Sequence, residues 1–204
     1  MAWSPDGVLH VANMRVPGEN RGQIIALPDR DLDGVADEAV VVASGFRYVH
    51  SLAFYKGDLY VADTHEVVLF RDVDGDGTYE ERQVLAVIPT GGTHNTRTIV
   101  FDEVNDRFFL SIGTSCDMCR EGDPERGTIL QFNADGTGRQ IYARGLRNSV
   151  GLALHPRTNQ LWATNNGHNR EGSTLPPEVI NIVRADGFYG ARFALSCSDR
   201  VMWS

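Results

Sequence analysis

The sequence has little of the features that mark several common protein classes. Its 204 residues carry 19 Lys and Arg against 27 Asp and Glu, a formal net charge of −8. Nucleic-acid binding needs a basic face, so this balance argues against a nucleic-acid partner. No run of about 18 apolar residues occurs, so we expect no membrane-spanning helix. Residues 1–7 lack the basic start and apolar stretch of a signal peptide.

Cysteine is also scarce. The chain has three, and two of them, Cys116 and Cys119, form a single C-x-x-C motif. Three cysteines are too few for a disulfide framework. A zinc site would need a second pair or two well-spaced histidines, and neither follows. A local disulfide staple and two free thiols therefore stay open, and export of the protein would favour the staple.

What the sequence does contain is a repeat of about 50 residues. Each unit has a short apolar strand, a tight polar turn and a second apolar strand, and the second strands begin at 9, 59, 108 and 161. The predicted first strands are 2–3, 52–54, 99–101 and 152–154. The predicted third strands are 23–27, 67–70, 128–132 and 179–183, and the fourth strands are 39–42, 83–88 and 140–143. Four short strands per unit at this period predict an all-β fold of β-propeller blades.

The number of blades predicts a single, partial domain. Residues 1–204 hold about four blades of four antiparallel strands, whereas propellers have typically about 4–8 blades. We interpret the chain as part of a six-bladed ring, which leaves unpaired sheet edges. Residues 191–204 lose the pattern and are interpreted as an atypical tail.

The strand order assigns the loops to two faces. First and third strands of an antiparallel blade run the same way, so the loops that lead into them share one face. This face collects most of the histidines together with two arginines and an asparagine: His50, His65, His94, His168, Arg97, Arg147 and Asn148. Loops on a rigid scaffold commonly carry function. The residue types suit an anionic or polyoxygenated ligand, with a histidine as base.

The opposite face collects two acidic turns of the form D-x-D-x-D-G. Their carboxylates belong to Asp29, Asp31, Asp33, Asp72, Asp74 and Asp76. Both match the start of a calcium-binding loop, but Val40 and Gln83 stand where the bidentate Glu would be. They are candidate structural calcium turns, and the alternative is turns stabilised by Asp side chains bonding to the backbone.

Several motifs resemble the glucose/sorbosone dehydrogenase family, which consists of six-bladed propellers that use pyrroloquinoline quinone (PQQ) and calcium. The resemblance rests on Leu146–Pro156 followed by Leu161–Gly167, and on His94–Arg97 followed by Phe109–Gly113. It extends over roughly residues 1–190. The family implies an oxidoreductase that oxidises a sugar or related polyol by hydride transfer to PQQ, in the periplasm or outside the cell.

Position by position, the resemblance implies two catalytic residues. His94 would be the general base that takes the proton of the substrate hydroxyl, and Arg97 would buttress its loop. Thr93 stands where the glucose branch often has an acidic residue. Together with Ser115–Cys119, this favours the sorbosone or pyranose dehydrogenase branch.

The resemblance also implies cofactor-binding residues. Arg147 and Asn148 would hold PQQ, and the backbone carbonyls of Gly167 and His168 would bind its calcium ion. The family often has proline after that glycine, and His168 departs from this. Further basic ligands would come from blades that this chain lacks, so we expect the chain alone to be inactive.

Two other functions stay open. A lactonase-like propeller hydrolase would use calcium to activate water, and a non-catalytic propeller would serve only for binding. The hydrolase would need carboxylates on the histidine-bearing face, where the sequence offers Glu19, Asp63, Glu66, Glu171 and Glu178 without a clear cluster. The sequence does not specify which sugar or which electron acceptor is used.

Overall fold

The chain folds into four consecutive β-sheets arranged as the blades of a β-propeller. The computed structural model describes residues 1–14, 21–117, 119–168 and 178–190. These residues form sixteen strands and no helix, so the predicted all-β fold is confirmed. The tail at 191–204, with Cys197, lies outside the described residues.

The first two sheets are four-stranded meanders. Sheet 1 contains β1 (Ala2–Trp3), β2 (Leu9–Asn13), β3 (Gly22–Leu27) and β4 (Val40–Phe46). Sheet 2 contains β5 (Ser51–Tyr55), β6 (Asp58–Ala62), β7 (Glu66–Arg71) and β8 (Glu81–Val87).

Sheet 3 differs from the predicted blade of four antiparallel strands, whereas sheet 4 has the three strands predicted for it. Sheet 3 contains β9 (Ile99–Asp102), β10 (Arg107–Ile112), β11 (Thr128–Asn133) and β12 (Gln140–Arg144). Sheet 4 contains β13 (Leu152–Leu154), β14 (Leu161–Asn165) and β15 (Val179–Val183). The extra strand β16 (Gly187–Phe188) pairs in parallel with β12, so sheet 3 has five strands and sheet 4 has three in the described part of the chain.

The β16 pairing has a local physical cause. Asp186 turns the chain with a φ of 59°, and its amide donates to the carbonyl of Tyr142 at 2.8 Å. The amide of Tyr189 donates to the carbonyl of Arg144 at 2.9 Å. These bonds satisfy outer carbonyls of β12, which would otherwise form an open sheet edge.

The first strands of successive sheets line a common axis. β1 contacts β5, β5 contacts β9, and β9 contacts β13. Each first strand is the innermost strand of its blade, as the repeat predicts. The loops that lead into β5, β9 and β13 therefore meet near this axis.

Alternating side chains build the core between neighbouring sheets. In β6, Leu59 and Val61 join the apolar cluster shared with sheet 1, whereas Tyr60 and Ala62 join the cluster shared with sheet 3. In the same way Phe108 of β10 packs toward sheet 2, and Phe109 packs toward sheet 4. Strands that are apolar on both faces are thus buried on both faces.

A buried carboxylate links sheets 3 and 4 at the turn after β9. Asp102 has no exposed surface. It accepts hydrogen bonds from Arg107 Nε at 2.7 Å, Asn105 Nδ2 at 2.8 Å and Asn159 Nδ2 at 2.7 Å. Because Asn159 belongs to the turn before β14, Asp102 ties the two blades together.

Candidate functional site

The candidate site lies in the lead-in loops, which we define as the loops that precede β5, β9 and β13. They comprise residues 47–50, 88–98 and 145–151. Arg47, His94 and Arg147 hold the same place in these loops, each five residues before the apolar residue that begins the predicted first strand. Three successive blades therefore present a cationic or titratable side chain at one shared position.

Side chains at the ends of the second strands fix the backbone of two of these loops. The carboxylate of Asp63 accepts the amides of Arg47 at 2.9 Å and Tyr48 at 2.7 Å. The side-chain oxygen of Asn165 accepts the amides of Arg147 at 2.8 Å and Asn148 at 3.3 Å. These tethers position the loops without using the loop side chains.

The imidazole of His94 is held by one residue at the start of the next long loop. Its Nδ1 lies 3.1 Å from the carbonyl oxygen of Thr114 and 2.8 Å from the Thr114 hydroxyl. A carbonyl oxygen only accepts, and the hydroxyl gives its own proton to the carbonyl of Cys116 at 2.8 Å. Nδ1 must therefore carry the hydrogen, which leaves Nε2 with its lone pair.

His94 is kept neutral near physiological pH. Burial and the nearby Arg147 cation lower its pKa below the ordinary histidine value, against the opposing effects of the Thr114 carbonyl, Asp117 and Glu121. Nε2 makes no hydrogen bond to the described residues. It is therefore a free proton acceptor.

His94 and Asn148 flank Gly113. A Cβ on Gly113 would lie 2.6 Å from the Cβ of His94 and 2.9 Å from Oδ1 of Asn148. Only glycine permits this approach. Oδ1 of Asn148 also accepts the hydroxyl of Thr96 at 3.1 Å. The lead-in loops of sheets 3 and 4 thus meet at the side chains that the sequence singles out.

Arg147 joins this group through both its backbone and its side chain. Its carbonyl accepts the amide of Thr114 at 2.9 Å. Its guanidinium forms an ion pair with the carboxylate of Asp117 and donates from Nε to the Asp117 carbonyl at 3.0 Å. Nη1 reaches the carbonyl of Asn166 at 3.3 Å. The site therefore contains a desolvated arginine that already binds a carboxylate.

Arg97 lies beneath the site and is completely buried. Its guanidinium donates to three backbone carbonyls, those of His94 at 3.1 Å, Thr96 at 2.7 Å and Pro89 at 2.7 Å. Burial lowers its pKa to about 10, with a further contribution from Arg126. Through these contacts Arg97 acts as a buttress of the His94 loop.

A disulfide joins Cys116 and Cys119. The same loop is closed by Glu121, whose carboxylate accepts the amide and the hydroxyl of Ser115, both at 2.7 Å. Of the two alternatives for the C-x-x-C motif, the staple is the one present. It lies directly beside Thr114, the partner of His94.

The segment predicted to bind calcium lies beside Arg147. Nδ1 of His168 hydrogen-bonds to the carbonyl of Asp117 at 2.9 Å, and the amide of Gly167 donates to the carboxylate of Glu178. Asp117 thus connects Arg147 with the 167–168 segment.

Two other histidines of this face lie outside the group. Nδ1 of His50 faces the carbonyl of Arg97 at 3.1 Å. His65 forms a cluster with Asp63 and Glu66, with ligand atoms within 4.8 Å of one another, where the sequence indicates no clear cluster. The Asp63 carboxylate is occupied by backbone amides and Glu66 pairs with Arg82.

The acidic turns are stabilised by their own carboxylates. Asp29 accepts the amide of Gly34 at 2.9 Å. Asp72 accepts the amides of Gly75 at 2.7 Å and Gly77 at 2.8 Å. Within each turn the Asp side chains also lie within 4.8 Å of one another, and Glu80 joins the second group. The bonds are those of Asx-stabilised turns.

Three residues of the site are missed by sequence reasoning. Arg47 can be found from its register in the repeat, because it occupies the place of His94 and Arg147. Thr114 and Asp117 carry no such signal, since their roles depend on contacts 20 and 30 residues away.

Comparison with known proteins supports the fold. The chain is 25% identical over 142 residues to an uncharacterized protein of Borreliella burgdorferi, covering 64% of this chain and 37% of the relative. It superposes on the calcium structure of the Trichoderma reesei Carbohydrate-Active Enzymes Family AA12 with a TM-score of 0.73 and 18% identity, covering 93% of this chain and 52% of that one. It superposes on the holo form of the pyranose dehydrogenase PQQ domain from Coprinopsis cinerea with a TM-score of 0.70 and 18% identity, covering 88% and 46%.

At these identities the likeness establishes the propeller fold that the resemblance implies. The chain spans about half the length of the two solved structures. Its described residues contain no helix long and apolar enough to cross a membrane. Residues 1–186 match the family described as "Domain of unknown function (DUF7133)", and the chain belongs to that family.

Proposed function

We propose that this chain carries part of the active site of a sugar-oxidising quinoprotein that uses PQQ and calcium. The observation that carries the proposal is His94, a buried imidazole whose Nδ1 bonds to Thr114 and whose Nε2 has no hydrogen-bond partner among the described residues, placed beside Arg147 and Asn148. Likeness to propellers described as a PQQ domain and as a calcium structure supports the cofactor assignment.

The residues present fit such a cofactor. PQQ is an anion, and three buried arginines lie in the site or next to it: Arg147, Arg97 and Arg126, which reaches the carbonyl of Gly113 at 3.5 Å. Nε of Arg97 has no partner in the described part of the chain, and Arg147 already donates to a carboxylate. Arg147 and Asn148 would hold the quinone. The carbonyls of Gly167 and His168 would hold calcium, a hard ion that prefers oxygen ligands.

The chain's own residues then account for the proton chemistry. When bound, the quinone supplies the hydride acceptor and calcium polarises it. His94 Nε2 would accept the proton of the substrate hydroxyl as the carbon that bears it is oxidised. Thr114 keeps the imidazole in the correct tautomer, and burial together with the positive charge of Arg147 lowers the pKa of His94 so that it is unprotonated beforehand.

The disulfide supports an oxidising compartment. Disulfides persist in secreted and periplasmic proteins and are rare in reducing cytosol. The Cys116–Cys119 bridge therefore supports a periplasmic or secreted location. We also propose that a complete ring, of which this chain forms about four blades, is needed for turnover.

The test uses PQQ with calcium, first as a binding experiment. Calorimetry on the chain is expected to show weaker PQQ binding for Arg147→Met than for the unaltered protein. His94→Gln is expected to bind PQQ as well as the unaltered protein does, because it removes only the base. Arg157→Met, an exposed residue of the turn before β14, is the control and should bind normally.

The second experiment measures sugar-dependent dye reduction in a longer protein that carries this chain. His94→Gln is expected to lower turnover by about 100-fold or more, the usual size of a general-base effect. Unchanged turnover would remove His94 from the base role. Lactone hydrolysis without dye reduction would instead support the hydrolase.

A further inference from the structure

Asp117 is the ionic partner of the Arg147 guanidinium. The Arg147 side chain is 3% exposed, whereas the paired Asp117 side chain is 28% exposed. The carboxylate is therefore the more exposed member of the pair. Nε and Nη1 donate to backbone carbonyls of Asp117 and Asn166. Because Nη2 is paired with the Asp117 carboxylate, an external carboxylate has to compete with Asp117 for Arg147.

The backbone of Asp117 is fixed even though its side chain is partly exposed. The disulfide between Cys116 and Cys119 encloses it in a short ring. Its carbonyl accepts from Nε of Arg147 at 3.0 Å and faces Nδ1 of His168 at 2.9 Å. Glu121 closes the loop again through Ser115. Only the carboxylate can leave Arg147 without disturbing these contacts.

We infer that Asp117 is an internal ligand of Arg147, which a carboxylate of an incoming anionic ligand replaces. The choice of PQQ as that ligand rests on the proposed function. The pairing of Asp117 with Arg147 rests on the contacts alone. Replacement exchanges one carboxylate for another, so the buried guanidinium is paired before and after. Leaving it unpaired would be costly, which explains why the guanidinium has an internal partner.

The exchange requires a rotation of one side chain on a fixed backbone. Asp117 moves its charge from a half-buried place toward water, where an isolated carboxylate is well solvated. The disulfide keeps the Asp117 carbonyl against Arg147 and His168 during this movement. The guanidinium thus keeps its orientation while its ionic partner changes.

The first test needs no cofactor. The chain is treated with phenylglyoxal, which modifies accessible arginines, and the rate at Arg147 is followed by peptide mass spectrometry. Asp117→Asn is expected to raise this rate by about tenfold, because the ionic partner is lost. Asp117→Glu keeps the charge and should keep Arg147 protected. Asp123→Asn removes an exposed carboxylate of the same loop and should have no effect.

An unchanged rate at Arg147 in folded Asp117→Asn overturns the inference. If that variant fails to fold, as judged by circular dichroism, the modification rates of the unaltered protein still test the inference. Arg147 must then be modified at least about tenfold more slowly than the exposed Arg157, as its burial requires. Equal rates at the two arginines overturn the inference.

The second test measures PQQ binding with calcium present. Asp117→Asn is expected to bind PQQ about tenfold more tightly, equivalent to about 1.4 kcal/mol, because the competing carboxylate is gone. Weaker binding would show that Asp117 supports the ligand and would overturn the inference. Faster modification of Arg147 with no PQQ binding in any variant would support the internal ligand and count against the proposed function.

Discussion

Removing the Asp102 carboxylate should loosen the contact between sheets 3 and 4. In Asp102→Ala, Arg107 Nε, Asn105 Nδ2 and Asn159 Nδ2 all lose their acceptor. His94 and Arg147 belong to the lead-in loops of these same two sheets. The substitution therefore tests how much this carboxylate contributes to the stability of the two sheets that carry the site.

The expected loss of unfolding free energy follows from the burial of Asp102. Asp102 has no exposed surface, and Arg107 is about one quarter exposed. Breaking a buried ion pair by removing one partner costs about 3–5 kcal/mol. Part of Arg107 can turn to water, so we expect about 3 kcal/mol. Asp102→Asn keeps the shape and two acceptor lone pairs, and should lose less.

This loss of unfolding free energy should become smaller as the pH falls. Burial raises the pKa of Asp102, but hydrogen bonds from Asn159, Asn105 and Arg107 outweigh it, so the net pKa is lowered. The stabilisation is therefore present above the unfolded carboxyl pKa of about 3.9. It disappears as the pH falls through the lower folded value. The variant and the unaltered protein should converge in stability in strong acid.

The loss of stability is measured by urea unfolding, followed by tryptophan fluorescence, at pH 7 and below pH 4. Asp106→Ala is the matched control, because that carboxylate also binds a cation, Lys56, and a hydroxyl, that of Tyr55. Asp106 is exposed, so its removal should cost far less. Equal losses for Asp102→Ala and Asp106→Ala would refute the argument from burial, and so would a difference that grows in acid.

Further expectations concern the loops of the site. Because the pKa of His94 is lowered, its neutral form persists as the pH falls. In an enzyme that holds its cofactor, kcat/KM should therefore decline only below about pH 6.5. A decline centred above that value would contradict the assignment of His94 as the base. Arg97→Met leaves three carbonyls without a donor and should cost about 3 kcal/mol in urea unfolding, whereas a loss under 1 kcal/mol would count against the buttress. Replacing Cys116 and Cys119 together by serine opens a short ring and should lower the free energy of unfolding by about 2 kcal/mol. Amide hydrogen exchange should become faster only in residues 115–121. Faster exchange across the whole chain would contradict a local effect of the disulfide.

Much of the fold could be predicted because its signals are local. The apolar runs of β6 and β10 are buried on both faces, and their repetition fixes the blade period. β16 could not be predicted, since two residues carry no strand pattern and its partner β12 lies more than 40 residues earlier.

The candidate site was predictable only in part, for the same reason. The repeat and the resemblance indicate His94, Arg147 and Asn148, which the structure brings together. The pairing of Arg147 with Asp117 arises only when a stapled loop folds over the next blade. The burial of Arg97 is equally hidden, because a charged residue in a polar loop gives no sequence sign that carbonyls surround it.

The tethers from Asp63 and Asn165 have an evolutionary consequence. Each grips backbone amides of its own blade's lead-in loop, so the loop keeps its shape whichever side chain it carries. Selection can therefore exchange the residues at positions 47 and 147 without redesigning the scaffold. Propellers built this way can acquire new ligand chemistry by single substitutions, one blade at a time.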